Sequence, residues 1–133
     1  MQGFWAIHES QNMPNIITLK EAENASSYYP DMQVWWHGRL ALGDHQELCW
    51  LKFDPGSTYP MHSHPYEQVS VIIQGRMRLH VGEETREVGP GDMWFAPSNT
   101  PHGGEILGEE PVIFIDVYAP SSLGDGSDVT YYE

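Results

Sequence analysis

Gly56-Ser-Thr-Tyr-Pro-Met-His62-Ser-His64-Pro-Tyr-Glu67-Gln68-Val-Ser-Val-Ile-Ile-Gln-Gly75 is the stretch that decides the fold. A second block, Gly89-Pro-Gly-Asp92-Met-Trp-Phe-Ala-Pro97-Ser-Asn-Thr-Pro101-His102, completes it. Side chains alternate faces along a strand, so His62 and His64 point the same way. Pro65 cannot donate to a ladder and marks a bend. In the strand beyond, Gln68 shares a face with Ser70 and Ile72, while Glu67 goes with Val69, Val71 and Ile73. If the pleat survives the bend, His62, His64 and Gln68 face one interior. His102 then arrives from a neighbouring strand, after a Gly-Pro-Gly-Asp turn. Three imidazoles and one amide, with Glu67 as the alternative oxygen donor, suit a divalent transition metal with open positions.

Outward from these blocks, turn punctuation is frequent and helical periodicity nearly absent. Short apolar runs recur at Val34–Leu42, Glu47–Phe53, Gln68–Ile73, Met77–Val81, Met93–Ala96 and Val112–Tyr118. Gly43-Asp44, Asp54-Pro55-Gly56, Gly82-Glu83-Glu84 and Gly89-Pro90-Gly91-Asp92 separate several of them. Short strands at such spacing predict an all-β sandwich or barrel. At 133 residues the chain is read as one domain: an arm over 1–30, a barrel over 31–120 and a tail over 121–133. An early strand is expected around Ile16–Leu19, and the Ser-, Gly- and Asp-rich tail reads as loosely ordered. Gln68–Ile73 is apolar on both faces, so the arm or a second subunit must cover it; a homodimer is expected.

Six Lys and Arg against 19 Asp and Glu give a net charge of −13, which excludes nucleic acid and anionic membranes as expected partners. A small-molecule substrate remains. The N-terminus has neither the basic region nor the apolar run of a signal peptide, and no stretch reaches the roughly 20 apolar residues of a spanning helix. A cytoplasmic location is the expectation. Cys49, the single cysteine, lies in Leu48-Cys49-Trp50-Leu51 and reads as core.

Asp116 interrupts Val112-Ile-Phe-Ile-Asp116-Val-Tyr118, where an unpaired carboxylate costs several kcal/mol. Either it faces solvent or caps a turn, or it is a proton-transfer group facing the same interior as the metal ligands, with Tyr118 on its face. Tyr66, Trp50, Trp94 and Phe95 read as core or cavity-wall residues, and His37, beside Trp35 and Trp36, as a surface or packing residue that is also a candidate for the wall. His8, His45 and His80 read as surface or packing residues. Arg76 and Arg78 alternate with Met77 and Leu79 and should point outward.

With those residues in view, the chain resembles a small single-domain cupin across roughly Gly38 to Pro120. The first block is similar to the first cupin motif, and the second resembles the glycine, proline, histidine second motif. The resemblance implies a double-stranded β-helix, or jelly-roll barrel. It also implies one divalent transition metal (Zn, Mn, Fe, Ni or Co) on His62, His64, Gln68 and His102. Two positions depart from the pattern. Gln68 stands where a ligand glutamate is usual, which leaves the metal charge uncompensated and removes the carboxylate of an iron-oxygenase site. Asn99 stands where glycine is usual, a mild change because asparagine tolerates left-handed backbone.

A narrower resemblance is to cupins that linearise unsaturated uronates. They are similar in His-Ser-His-Pro-x-Glu-Gln, here His62 to Gln68, and in a late Asp-x-aromatic followed by proline, here Asp116, Tyr118 and Pro120. The arginine that follows in that group is replaced here by Ser121-Ser122-Leu123-Gly124. The implied activity is Lewis-acid and acid/base catalysis on a small oxygenated substrate, by sugar-acid ring opening, isomerisation or elimination. The alternatives are a polyketide cyclase-type cupin, an iron or manganese dioxygenase, and a non-enzymatic sugar- or metal-binding module.

Overall fold

The computed structural model describes residues 15–42 (37–42 by backbone alone), 45–123 and 126–132. A short helix, α1 (Leu19–Ala25), precedes eleven strands: β1 (Ser27–Tyr29), β2 (Val34–Leu42), β3 (Glu47–Phe53), β4 (Thr58–Ser63), β5 (Glu67–Gln74), β6 (Arg76–Val81), β7 (Glu84–Val88), β8 (Met93–Ala96), β9 (His102–Leu107), β10 (Val112–Ala119) and β11 (Thr130–Tyr131). They form two antiparallel sheets, β1-β2-β3-β10-β5-β8 and β11-β4-β9-β6-β7. This is the all-β architecture that the punctuation predicts, in the jelly-roll form that the resemblance implies.

Alternation builds the core. On β5, Gln68, Ser70 and Ile72 are buried while Glu67, Val69 and Ile73 are exposed. On β6, Met77 and Leu79 face in, and Arg76 and Arg78 face out to pair with Glu87 and Glu105. A one-residue slip in either strand would exchange these sets, so burial of one face fixes the register. Phe53, Tyr59, Ile72, Met77, Trp94, Ile106 and Phe114 fill the space between the sheets, and Cys49 lies fully buried with them.

The early strand expected at Ile16–Leu19 is not formed; a helix begins there. The Thr18 side chain accepts from the Glu21 amide and the Glu21 carboxylate accepts from the Thr18 amide, a reciprocal cap that satisfies the first helical N–H groups. Thr18-Leu-Lys-Glu21 carries this signature in the sequence. The helix lays Ala22 over Trp50 and Ile113 on the outer face of the first sheet, with Ile17, Leu48 and Ile115 around them. Trp50 therefore faces away from the interior cavity. The tail is also more ordered than its composition suggests, because Thr130 and Tyr131 pair with Ser63 and His62 of β4.

Close approach requires glycine at Gly75, Gly103 and Gly104. A Cβ on Gly75, where φ is +82° between β5 and β6, would sit 2.6 Å from the Pro111 carbonyl oxygen. A Cβ on Gly103 would meet the backbone of Tyr59, Pro60 and Met61 at 2.7–2.9 Å. There β4 carries a bulge: Tyr59 pairs with Gly104 but His62 with His102, three steps against two. Gly103→Ala is expected to destabilise the fold by about 3 kcal/mol, the upper end of overpacking costs. A melting temperature within a degree of the parent would contradict that contact.

Candidate metal centre

The β4 bulge decides the composition of the site. Without it, Tyr59 and His62 would lie on opposite faces. With it, both turn inward, their ring centroids 5.2 Å apart. His64 follows β4 at the bend, His102 opens β9 opposite His62, and Gln68 reaches across from β5 in the other sheet. The second-motif loop is tied to the first by the Asn99 amide, which donates to the His64 carbonyl at 2.8 Å. Asn99 has φ of 62°, the left-handed conformation expected of it.

Each imidazole is held by its Nδ1: His62 to the Pro60 carbonyl at 2.7 Å, His64 to the Tyr66 carbonyl at 2.7 Å, His102 to the Thr100 carbonyl at 2.9 Å. A carbonyl can only accept, so each Nδ1 carries the proton and each Nε2 presents a lone pair. Burial keeps the rings neutral. It lowers His62 to about 4 and His102 to about 3, and lowers His64 in the same direction.

Gln68 is fully buried. Its Nε2 donates to Ser70 Oγ at 2.9 Å and Asp116 Oδ1 at 3.0 Å, which turns Oε1 toward the histidines. Oε1 lies 3.1 Å from His64 Nε2 and 3.0 Å from His102 Nε2. No proton is available to bridge these acceptors, because the imidazole protons are already committed on Nδ1. One donor atom from each of His62, His64 and His102 falls within 4.8 Å of the others. Buried lone pairs converging without a hydrogen repel one another, and a cation among them removes the conflict. The donor set fits a divalent metal. Glu67, the alternative oxygen donor, is exposed and takes no part.

Asp116 explains why position 68 is an amide. A glutamate there would set a second carboxylate against Oδ1, where the amide now donates. Asp116 is 1% exposed; its Oδ1 also accepts from Ser70 Oγ at 2.6 Å and its Oδ2 from the Tyr118 hydroxyl at 3.2 Å. Burial pushes its carboxyl up to about 7, against the lowering effect of these hydrogen bonds. Burial, then the nearby Asp116 charge, raises the Tyr118 phenol well above its usual range.

The cavity over the histidines measures about 340 Å³. Tyr118 and Tyr66 line it, as does Tyr59, which lies across the bulge and carries no motif to mark it. Asp116 is not among the lining residues; it reaches the cavity through Tyr118. Phe95 is exposed, and Trp94 packs on Phe114 and lines a separate surface groove. Of the remaining histidines, His80 pairs with Thr85 and Glu105 on β6, and His8 and the His37 side chain lie outside the described residues. Sequence reasoning also passed over Glu47. Fully buried at the start of β3, it accepts from the Ser122 amide at 2.8 Å and the Ser122 hydroxyl at 2.9 Å, fastening the segment after β10.

The cupin domain signature matches residues 49–118, from Cys49 through the whole candidate ligand set to Tyr118. The chain belongs to the cupin family. This cupin is similar to the oxalate decarboxylase of Bacillus subtilis, 29% identical over 82 residues, which are 58% of this chain and 21% of that protein. It therefore spans about a fifth of that enzyme's length. Among solved structures it is similar to KdgF from Halomonas sp., at 26% identity and a TM-score of 0.64, covering 73% of this chain and 86% of that one. It shares its fold with an uncharacterized conserved protein with a double-stranded β-helix domain from Klebsiella pneumoniae. There the TM-score is 0.70 at 23% identity, over 90% of this chain and 98% of the other. Among the described residues no helix is long and apolar enough to cross a membrane.

The buried imidazoles give a pH dependence. Below the ordinary histidine pKa of 6.5, the unfolded chain binds protons at these positions and the folded chain does not, down to about 4 for His62 and about 3 for His102. Their contribution is present above pH 6.5 and is lost as pH falls. Asp116, raised to about 7, acts oppositely, since its contribution is present below its unfolded value and lost as pH rises through 7. Three histidines outweigh one aspartate, so the metal-stripped protein should melt at a lower temperature at pH 5 than at pH 7. A flat or rising melting temperature toward pH 5 would contradict neutral buried imidazoles.

Proposed function

We propose that this cupin is a metal-dependent enzyme that applies Lewis-acid and acid–base catalysis to a small oxygenated substrate, by ring opening, isomerisation or elimination. One observation carries the reading: the Nε2 atoms of His64 and His102 face Gln68 Oε1 without a proton between them, beside the open cavity. His62, His64, His102 and Gln68 would hold the ion. A divalent metal on a wholly neutral donor set supplies strong polarisation of a substrate hydroxyl or carbonyl oxygen.

The chain's own residues supply the proton transfers. Tyr118 lines the cavity and donates its hydroxyl to Asp116 Oδ2. A proton leaving the substrate can pass through the phenol oxygen to the buried carboxylate, and return by the same route. Asp116 thus acts behind the wall and Tyr118 at it. Ser70 and Gln68 hold the other carboxylate oxygen, so the relay is fixed in orientation before substrate arrives. Buried Tyr59 and Phe53 line the cavity and keep bulk water from the reacting oxygen.

The shared His-Ser-His-Pro-x-Glu-Gln run and the Asp116, Tyr118 and Pro120 pattern favour an unsaturated uronate as the first substrate to try. Protein carrying one metal per chain should consume the conjugated chromophore of such a uronate, and metal-stripped protein should not. No oxygen should be taken up with the iron-loaded form. Oxygen uptake coupled to substrate loss would replace this reading with a dioxygenase. Tight ligand binding without turnover would replace it with a binding module.

A further inference from the structure

We propose that the cavity admits a ligand with a positively charged end, such as a quaternary ammonium, seated against Asp128 among aromatic rings. The proposal rests on the reading above, in which the ligand's other end meets the His62, His64, His102 and Gln68 group. It concerns the ligand's second end, where an anionic group would face a carboxylate, and leaves the single carboxylate of a uronate free to meet the metal end.

Among the described residues lining the cavity, Asp128 is the single carboxylate and none is a lysine or arginine. Asp128 is half-buried, and its Oδ2 is fixed by the Leu123 amide at 3.0 Å, so its charge is held in place. Asp128 lines the same cavity as His64 and Tyr66. Trp36, Tyr59, Tyr66, Tyr118 and Tyr131 supply aromatic walls, whose negative faces attract a cation stripped of water. Away from the metal group, an anion entering this space would lose its hydration and find no basic partner among the described lining residues.

Among the described residues, the lysines and arginines lie away from the cavity. Arg76, Arg78 and Arg86 lie beside Glu87, Glu105 and Glu84 on the outer side of β6 and β7. Lys20 lies on α1, and Lys52 is not a lining residue. The net charge of −13 adds a long-range field that steers cations in and anions away. The Arg39 side chain lies outside the described residues and enters the test as a variant.

The test is calorimetric titration of the full chain, zinc-loaded and metal-stripped, with choline and its neutral carbon isostere 3,3-dimethylbutan-1-ol. Choline should bind about 10-fold more tightly in both forms, as a desolvated cation–aromatic contact allows. Asp128→Asn should reduce that preference to within about twofold, leaving zinc content and the affinity for the neutral alcohol unchanged. Equal affinities, no binding of either probe, or an Asp128→Asn variant that weakens both alike would overturn the proposal. So would tighter binding of 3-hydroxypropanoate than choline by metal-stripped protein, if Arg39→Gln abolished it. The metal reading fails separately, by a zinc-loaded preparation that holds no zinc, because the choline preference is read in the stripped form as well.

Discussion

Replacing His64 by alanine is expected to remove stoichiometric metal from the protein. The residue supplies one of the buried Nε2 lone pairs, and its Nδ1 is fixed on the Tyr66 carbonyl at 2.7 Å, so no neighbouring side chain can take its place. Its ring also stacks on Tyr66 with centroids 4.0 Å apart, and truncation would open that space to water. Loss of a supporting hydrogen bond to a metal ligand typically costs about 10–100-fold in affinity, and loss of the ligand itself should exceed that. Elemental analysis after dialysis should find near-zero metal in His64→Ala. His80→Ala, on the outer side of the second sheet, should keep the full complement. A full complement in His64→Ala would mean that the converging lone pairs are satisfied in some other way.

Replacing Asp116 by asparagine should leave metal content intact and lower turnover by about 10²–10⁴-fold, the usual contribution of general acid–base catalysis. An amide oxygen in the place of Oδ1 can still accept from Gln68 Nε2 and Ser70 Oγ, so Gln68 keeps its orientation. The amide nitrogen then faces the Tyr118 hydroxyl, 3.2 Å away in the parent, and cannot accept its proton. Tyr118→Phe breaks the same relay from the cavity side, so the double variant should lose little more than either single one. Additive losses would assign the two residues to separate steps. Loss of metal in Asp116→Asn would make the carboxylate an anchor for Gln68 alone, and unchanged turnover would remove it from the chemistry.

Much of the fold was legible because it depends on local chemistry. Apolar runs at period two, broken by glycine and proline, fixed most of the strands, and the parity of His62, His64 and Gln68 gave three of the four converging groups. Asn99 adopts the positive φ that its side chain tolerates. At α1 two local signals compete: the apolar residues at Ile16–Leu19 suggest a strand, but the capping box at Thr18 and Glu21 announces a helix.

The two-faced apolar character of β5 was also visible, but what covers it was not. Helix α1 settles over Trp50 and Ile113 and leaves Val69 and Ile73 exposed beside Met93 and Phe95. Which part of a sheet a neighbouring element covers depends on where the chain enters it. Composition carries no such information.

By itself, then, the sequence determined an all-β sandwich or barrel, the histidine set and the presence of a carboxylate that apolar neighbours make costly. Only tertiary structure decided how these act together. The β4 bulge turned Tyr59 to the side of His62 by adding one residue to one strand, a change invisible to parity. Pairing of β10 with β5 brought Asp116 opposite Ser70 and within reach of Gln68, 48 positions away in sequence. That contact orients the amide, moves Asp116 behind the wall and leaves Tyr118 at the cavity. Pairing of β11 with β4 placed Tyr131 on the cavity wall, with Asp128 lining it from the same segment, because strand edges recruit distant chain by backbone hydrogen bonds that any sequence can make.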